Sequence, residues 1–229
     1  MATTLTGARP ARAARFWAST NGQKVVMAVT GCILFIFIIG HLLGNLQIYA
    51  GPAAINGYGR FLHSVPELLW IARAILIVAV VLHIWAAIVL GTHKVKARPI
   101  GYARKQNADS TYASRTMYWS GPILLAFVVY HLLNLTAGVS HPGGRFIYMD
   151  DYHNVVSGFQ VWYISASYVF ALILLGFHLR HGFWSMFQSV GINHPRHTPI
   201  LKQAALVLAL LISLGYISIP VNVLLGVLR

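Results

Sequence analysis

Acidic side chains are scarce in this chain: its 229 residues include 4 Asp and Glu against 17 Lys and Arg. Charge of either sign is thin, at 9%, where soluble domains carry about a quarter. Apolar residues fill the difference, at 57%, with a mean hydropathy of +0.66. That balance excludes an ordinary soluble domain and indicates an integral membrane protein. There is one cysteine, Cys32, so neither a disulfide framework nor a cysteine-ligated cluster can form within the chain. Cys32 reads as a small buried apolar side chain. No cleavable signal peptide is expected, because the first apolar run starts late and is too long for an h-region.

What is present is length of apolar run. Five stretches, about 25–48, 68–91, 119–139, 160–184 and 202–227, are long enough to cross a bilayer core. Backbone groups in lipid must be satisfied internally, so each predicts a helix. The expected fold is an all-α integral membrane protein with five transmembrane helices, a four-helix bundle plus a fifth helix, in one domain spanning 1–229. Residues 1–20 read as a short interfacial arm. The connections 49–67 and 140–159 are long enough to fold over one end of the bundle. A weak internal repeat pairs GHLLGN (40–45) with YHLLNL (130–135).

The net charge of +13 is placed, not spread. Arg9, Arg12, Arg15 and Lys24 precede the first span, and Lys94, Lys96, Arg98, Arg104, Lys105 and Arg115 lie between the second and third. Arg180, Arg196 and Lys202 flank the last connection. The alternate loops hold little beyond Arg60 and Arg145, and they carry Glu67, Asp150 and Asp151. This asymmetry predicts a cytoplasmic N-terminus and an external C-terminus. It accounts for the basic runs by topology and anionic lipid, so no nucleic-acid partner is expected.

Imidazole in hydrocarbon is costly unless its nitrogens are occupied. Of 11 histidines, His41, His83, His131 and His178 fall in mid-helix surroundings. At about 1.5 Å per residue, His41 stands ~25 Å along its helix from Lys24, and His83 only ~16 Å from Lys94. The alternating helix directions therefore sort the four into two levels, His41 with His131 and His83 with His178. Two imidazoles at one depth on different helices suit bis-histidine ligation of haem, which needs them on opposite faces of one iron. Four helices contributing at two depths fit a single zinc site poorly. Gly40, Gly44 and Gly176 would let a macrocycle edge approach, although Gly40–Gly44 also fits helix packing. Asn45 and Asn134 are candidate supports for His41 and His131. His181 and Arg180 sit where a propionate would be met. His63, His93, His141, His153, His194 and His197 read as surface or interfacial.

FWASTNGQKVVMAVTG (16–31), GHLLGNLQIY (40–49), NGYGRFLHS (56–64) and FHLRHGFWSMFQSVGINHPR (177–196) together resemble a known family. It is the single-chain, di-haem cytochrome b anchor of succinate dehydrogenase and fumarate reductase, part of respiratory complex II. The resemblance implies two b haems, the outer on His41 and His131 and the inner on His83 and His178. It implies a flavoprotein subunit and an iron–sulfur subunit docked on the cytoplasmic face of a bacterial cytoplasmic membrane. Electrons would pass from succinate to menaquinone or ubiquinone, and the anchor alone would not act on succinate.

A quinone carbonyl needs hydrogen-bond donors beside an apolar slot. Glu67, Arg73 and His63 are the external candidates, and Ser19, Lys24 and Trp119 the cytoplasmic ones. Some relatives carry a glutamate just before the fourth histidine, where this chain reads ALILLGFH (171–178) with no acid. Rival readings are a di-haem cytochrome b serving another quinone-linked dehydrogenase, and a haem-free transporter using histidines for metal or protons. The transporter would want acids well inside the helices, and the sequence places none there.

Overall fold

The computed structural model describes residues 16–17, 19–96 and 112–229, and all regular structure among them is helical. The arm before residue 16 and the cations Arg9, Arg12, Arg15, Arg98, Arg104 and Lys105 lie outside the described residues. Seven helices follow in order: α1 (Thr20–Asn45), α2 (Pro52–His63), α3 (Pro66–Lys96), α4 (Tyr112–His131), α5 (Asp151–Gln160), α6 (Trp162–Ser189) and α7 (Thr198–Leu224). Five of them, α1, α3, α4, α6 and α7, are long and apolar enough to cross a membrane. Their outward side chains include Ile36, Leu68, Ile77, Ile88 and Leu211, all exposed. In water such a surface would drive aggregation; in lipid it is the solvent-facing side.

The five spans stand where the apolar runs put them, with ends set by local chemistry. Ser19 caps α1, its hydroxyl accepting from Gly22 N at 3.1 Å and donating to Phe16 O at 2.6 Å, so the helix starts a turn before its apolar run. α4 begins at Tyr112, one to two turns before the predicted start. Its polar opening YASRTMYWS has no glycine or proline to stop helical bonding, and Thr116 folds its hydroxyl onto Ala113 O at 2.9 Å. The predicted run 160–184 is the single helix α6, and α5 falls in the predicted connection 140–159, separated from α6 by Val161 in an extended conformation.

The paired motifs GHLLGN and YHLLNL end differently. After Asn45 the chain tightens into a 3₁₀ turn over Leu46–Ala50, whereas after His131 it widens into a π turn over Leu132–Thr136. The wider turn closes with Ala137 N donating to Leu132 O at 2.8 Å, and Gly138, at φ +67°, then ends the helix.

α1 packs on α3, α6 and α7, α6 packs on α4 and α7, and α2 and α5 close over one end of the bundle, in contact with each other. That capped end is the one at which α1 and α4 finish. It holds a soluble-like core of Ile48, Ile55, Val155, Val156, Phe159, Ile164, Tyr168, Ile219 and Val223. Gly143 lies so near the Ser157 carbonyl that a Cβ would collide with it. A second cluster, Leu42, Leu179, Ala209 and Ile212, fastens α7 to α1 and α6. Gly176 serves this packing, and Gly44 serves that of α2 on α1. A Cβ on Gly44 would stand 2.5 Å from the Tyr58 ring, and one on Gly176 would stand 2.7 Å from Ser213 Oγ. Of the three glycines predicted to admit a macrocycle edge, Gly40 alone faces open space.

Candidate functional site: two histidine pairs

His41 comes from α1 and His131 from the last residue of α4; their ring centres are 5.9 Å apart, with planes at 88°. His83 comes from α3 and His178 from α6, at 6.3 Å and 53°. Among the described residues neither α1 with α4 nor α3 with α6 is an extensively packed pair, so each couple of imidazoles meets across a gap between helices. All four residues are partly buried. Two imidazoles bound on opposite sides of one ion, at metal–nitrogen bonds of roughly 2.0–2.1 Å, have ring centres on the order of 6 Å apart. Both observed separations fall at that value.

The pairs lie at two levels. Thr30, beside His83, is eleven residues from His41 on α1, and Tyr168, beside His131, is ten from His178 on α6. At about 1.5 Å per residue, the two helices place the levels roughly 15–17 Å apart. No group of three or more His, Cys, Asp or Glu that could hold a metal ion is found among the described residues, and the four imidazoles stand in two couples.

The capped-end pair sits in an aromatic nest. Phe37 stacks on His41 at 5.3 Å and 15°, Tyr216 approaches it at 6.1 Å, and Phe127 and Tyr168 flank His131. Tyr168 Oη lies 3.4 Å from His131 Nδ1 and 3.2 Å from Asn134 Oδ1. Asn134 is fully buried, and its Nδ2 donates to Ser140 O at 2.7 Å. Tyr216 donates to Ile38 O at 2.8 Å. At the other level Thr30 Oγ1 lies 3.2 Å from His83 Nδ1 and donates to Val26 O at 2.7 Å. His178 Nδ1 is buried and has no partner in the protein. A buried nitrogen of this kind needs an explanation, and a ligand on the ring is one.

The predicted supports separate on inspection. Asn134 reaches His131 through Tyr168. Asn45 Nδ2 instead donates to the backbone carbonyl of His41 at 2.7 Å, steadying the helix end and leaving the imidazole alone. Arg180 is exposed and His181 half-buried, toward the end opposite the cap. Thr30 and Tyr168 were not predicted. Their one sequence signal is a hydroxyl ten or eleven residues from a histidine on the same helix.

The quinone candidates are dispersed. Glu67 is exposed in the first turn of α3, where a negative charge suits the helix dipole. Arg73 lies over the Trp70 ring at 5.0 Å. His63 Nδ1 is 2.9 Å from Gly59 O, and its ring is 6.4 Å from that of Tyr148. No hydrogen bond or ion pair joins Glu67, Arg73 and His63 among the described residues. Ser19 is committed to capping α1, Lys24 is exposed, and Trp119 is exposed on α4.

Two carboxylates at the cap differ in environment. The His153 backbone N–H and the Asn56 amide hold Asp150 below the usual carboxylate range. Burial pushes Asp151 up, opposed by the charge of nearby His63. Compared with protein-family models, with curated proteins and with solved structures, the chain matches none.

Proposed function

We propose that this chain is a di-haem cytochrome b, the membrane-anchor subunit of a succinate:quinone oxidoreductase. The observation that carries the haem reading is the meeting of four imidazoles in two couples, 5.9 and 6.3 Å apart, at two levels of one bundle. Haem iron supplies a one-electron couple inside the membrane. The chain's own residues do the rest. His41 with His131, and His83 with His178, hold the two irons, while Phe37, Phe127 and Tyr216 exclude water from the capped-end pair. Arg180 and His181, toward the end opposite the cap, would meet the propionates of an inner haem.

The succinate half of the proposal rests on the likeness of residues 16–31, 40–49, 56–64 and 177–196 to the anchor family. In that arrangement the N-terminus is cytoplasmic, the C-terminus external, and the membrane a bacterial cytoplasmic one. The basic face would bind the iron–sulfur and flavoprotein subunits, and the haems held by the two histidine pairs would supply the one-electron couple that links them to menaquinone or ubiquinone. The capped end is the better place for quinone chemistry. Ser19 at the opposite end is already used, while His63 lies beside the half-buried carboxyl of Asp151, a group suited to carrying a proton.

The test is spectral. The purified chain should give a reduced-minus-oxidised spectrum of b-type haem, reducible by succinate only with the flavoprotein and iron–sulfur subunits present. A well-folded, colourless preparation would overturn the haem reading. Succinate oxidation by the isolated chain would overturn the subunit assignment.

A further inference from the structure

We infer that Tyr168 and Thr30 are positioning residues that lock one histidine of each pair into the same tautomer, with Nδ1 protonated and Nε2 free to bind iron. The inference rests on the haem reading above and follows from counting protons. A threonine hydroxyl has one proton, and that of Thr30 is directed back to its own helix, with Val26 O at 2.7 Å and Met27 O at 3.2 Å. With that proton engaged, the 3.2 Å contact with His83 Nδ1 is met by an N–H of the ring, which the Met27 backbone carbonyl also meets.

At the other level the count runs through an amide. Asn134 Nδ2 faces the Ser140 carbonyl at 2.7 Å, so that atom is the donor and Oδ1 the acceptor. The atom facing Oδ1, at 3.2 Å, is Tyr168 Oη, which therefore gives its single proton there. The 3.4 Å contact with His131 Nδ1 is again a ring N–H donated to a hydroxyl oxygen. The reverse arrangement would leave Oδ1 of a fully buried asparagine without a donor. Two networks made of different residues on different helices thus impose the same tautomer.

The consequence is electronic as well as geometric. A hydroxyl accepting from Nδ1–H makes the opposite nitrogen a stronger donor to iron and favours the oxidised, more positive metal.

The experiment is a redox titration of the purified complex, with haem content measured in parallel, for the unaltered protein, Tyr168→Phe, Thr30→Val and Thr30→Ser. Tyr168→Phe deletes only the hydroxyl, and Thr30→Val keeps the volume. The inference predicts that Tyr168→Phe raises the midpoint potential of one haem and Thr30→Val that of the other. Loss of each affected haem to a competing apoprotein should quicken on the order of 10-fold. Thr30→Ser should restore the unaltered potential. If both variants keep two haems at unchanged potentials, or both shift the same haem, the inference is wrong while the haem reading stands. If the unaltered protein holds no haem, the haem reading itself fails. Should Tyr168→Phe not fold, the Thr30 series decides the question alone.

Discussion

The two histidine pairs use the same side chains at nearly the same spacing, yet they are held differently. The capped-end pair is fixed on several sides. His41 lies against Phe37 and Tyr216, and His131 against Phe127, Tyr168 and, through that phenol, buried Asn134. The other pair is held more sparely, with Thr30 and the Met27 backbone on His83, while His178 Nδ1 is buried without a partner. If each pair holds a haem, as proposed, surroundings of such different polarity and rigidity should give the two irons different potentials and different retention. The lesson is that ligand identity sets what can bind, and the hydrogen bonds behind the ligands set how the two sites differ.

The comparison can be broken most severely at Asn134. Asn134→Leu leaves the Ser140 carbonyl and the Tyr168 hydroxyl without their buried partners, at about 1–3 kcal/mol each. Thermal unfolding in detergent should fall accordingly, and the capped-end haem should be lost before the other. Equal loss of both would mean the two levels are not independent.

Gly176→Ala is the next largest. It presses a Cβ into Ser213 Oγ and should loosen α6 from α7 by roughly 1–3 kcal/mol, with both haems retained. Gly40→Ala meets nothing in the protein, so it should leave unfolding unchanged. Its haem content then tests directly whether a macrocycle edge passes that glycine.

Smaller again is Asp150→Ala, which removes the cap of α5 and should cost about 1 kcal/mol. The pH dependence has a definite sign. Asp150 is held below its unfolded value, so its contribution is present above about pH 4 and is lost as pH falls through the lower folded value. Asp151, raised by burial, works the other way, and its ionisation opposes folding as pH rises through its folded value. Unfolding of Asp150→Ala should therefore be less acid-sensitive than that of the unaltered chain, and that of Asp151→Asn less sensitive to pH rising from the ordinary carboxylate value to the folded one.

The five spans and their order could be read from apolar run length, because in lipid that property alone decides what crosses. The pairing of the histidines was readable too, since alternating helix direction converts position along a helix into depth. Helix ends were not. Hydropathy is silent about Ser19 as a cap and about the polar opening of α4, where hydrogen bonding continues after apolarity stops. Tyr168 and Thr30 were missed for a related reason. A sequence gives the level of a side chain, while the helix it faces depends on rotation set by packing. Asn134 and Asn45 illustrate the same limit, alike in spacing from a histidine but bonded one through a phenol toward the imidazole and the other to backbone. Gly44 and Gly176 were assigned to a cofactor edge and are spent on helix packing, because a small residue in a helix does not reveal what approaches it.

The central claim is that four imidazoles make two separate haem sites, and haem stoichiometry tests it most directly. Pyridine haemochrome quantitation should be run on the purified chain and on His41→Ala and His83→Ala. Two haems per chain, with each variant retaining one and the two retained haems differing in spectrum and potential, is the predicted result. No haem in the folded chain, or loss of the same haem in both variants, would contradict it.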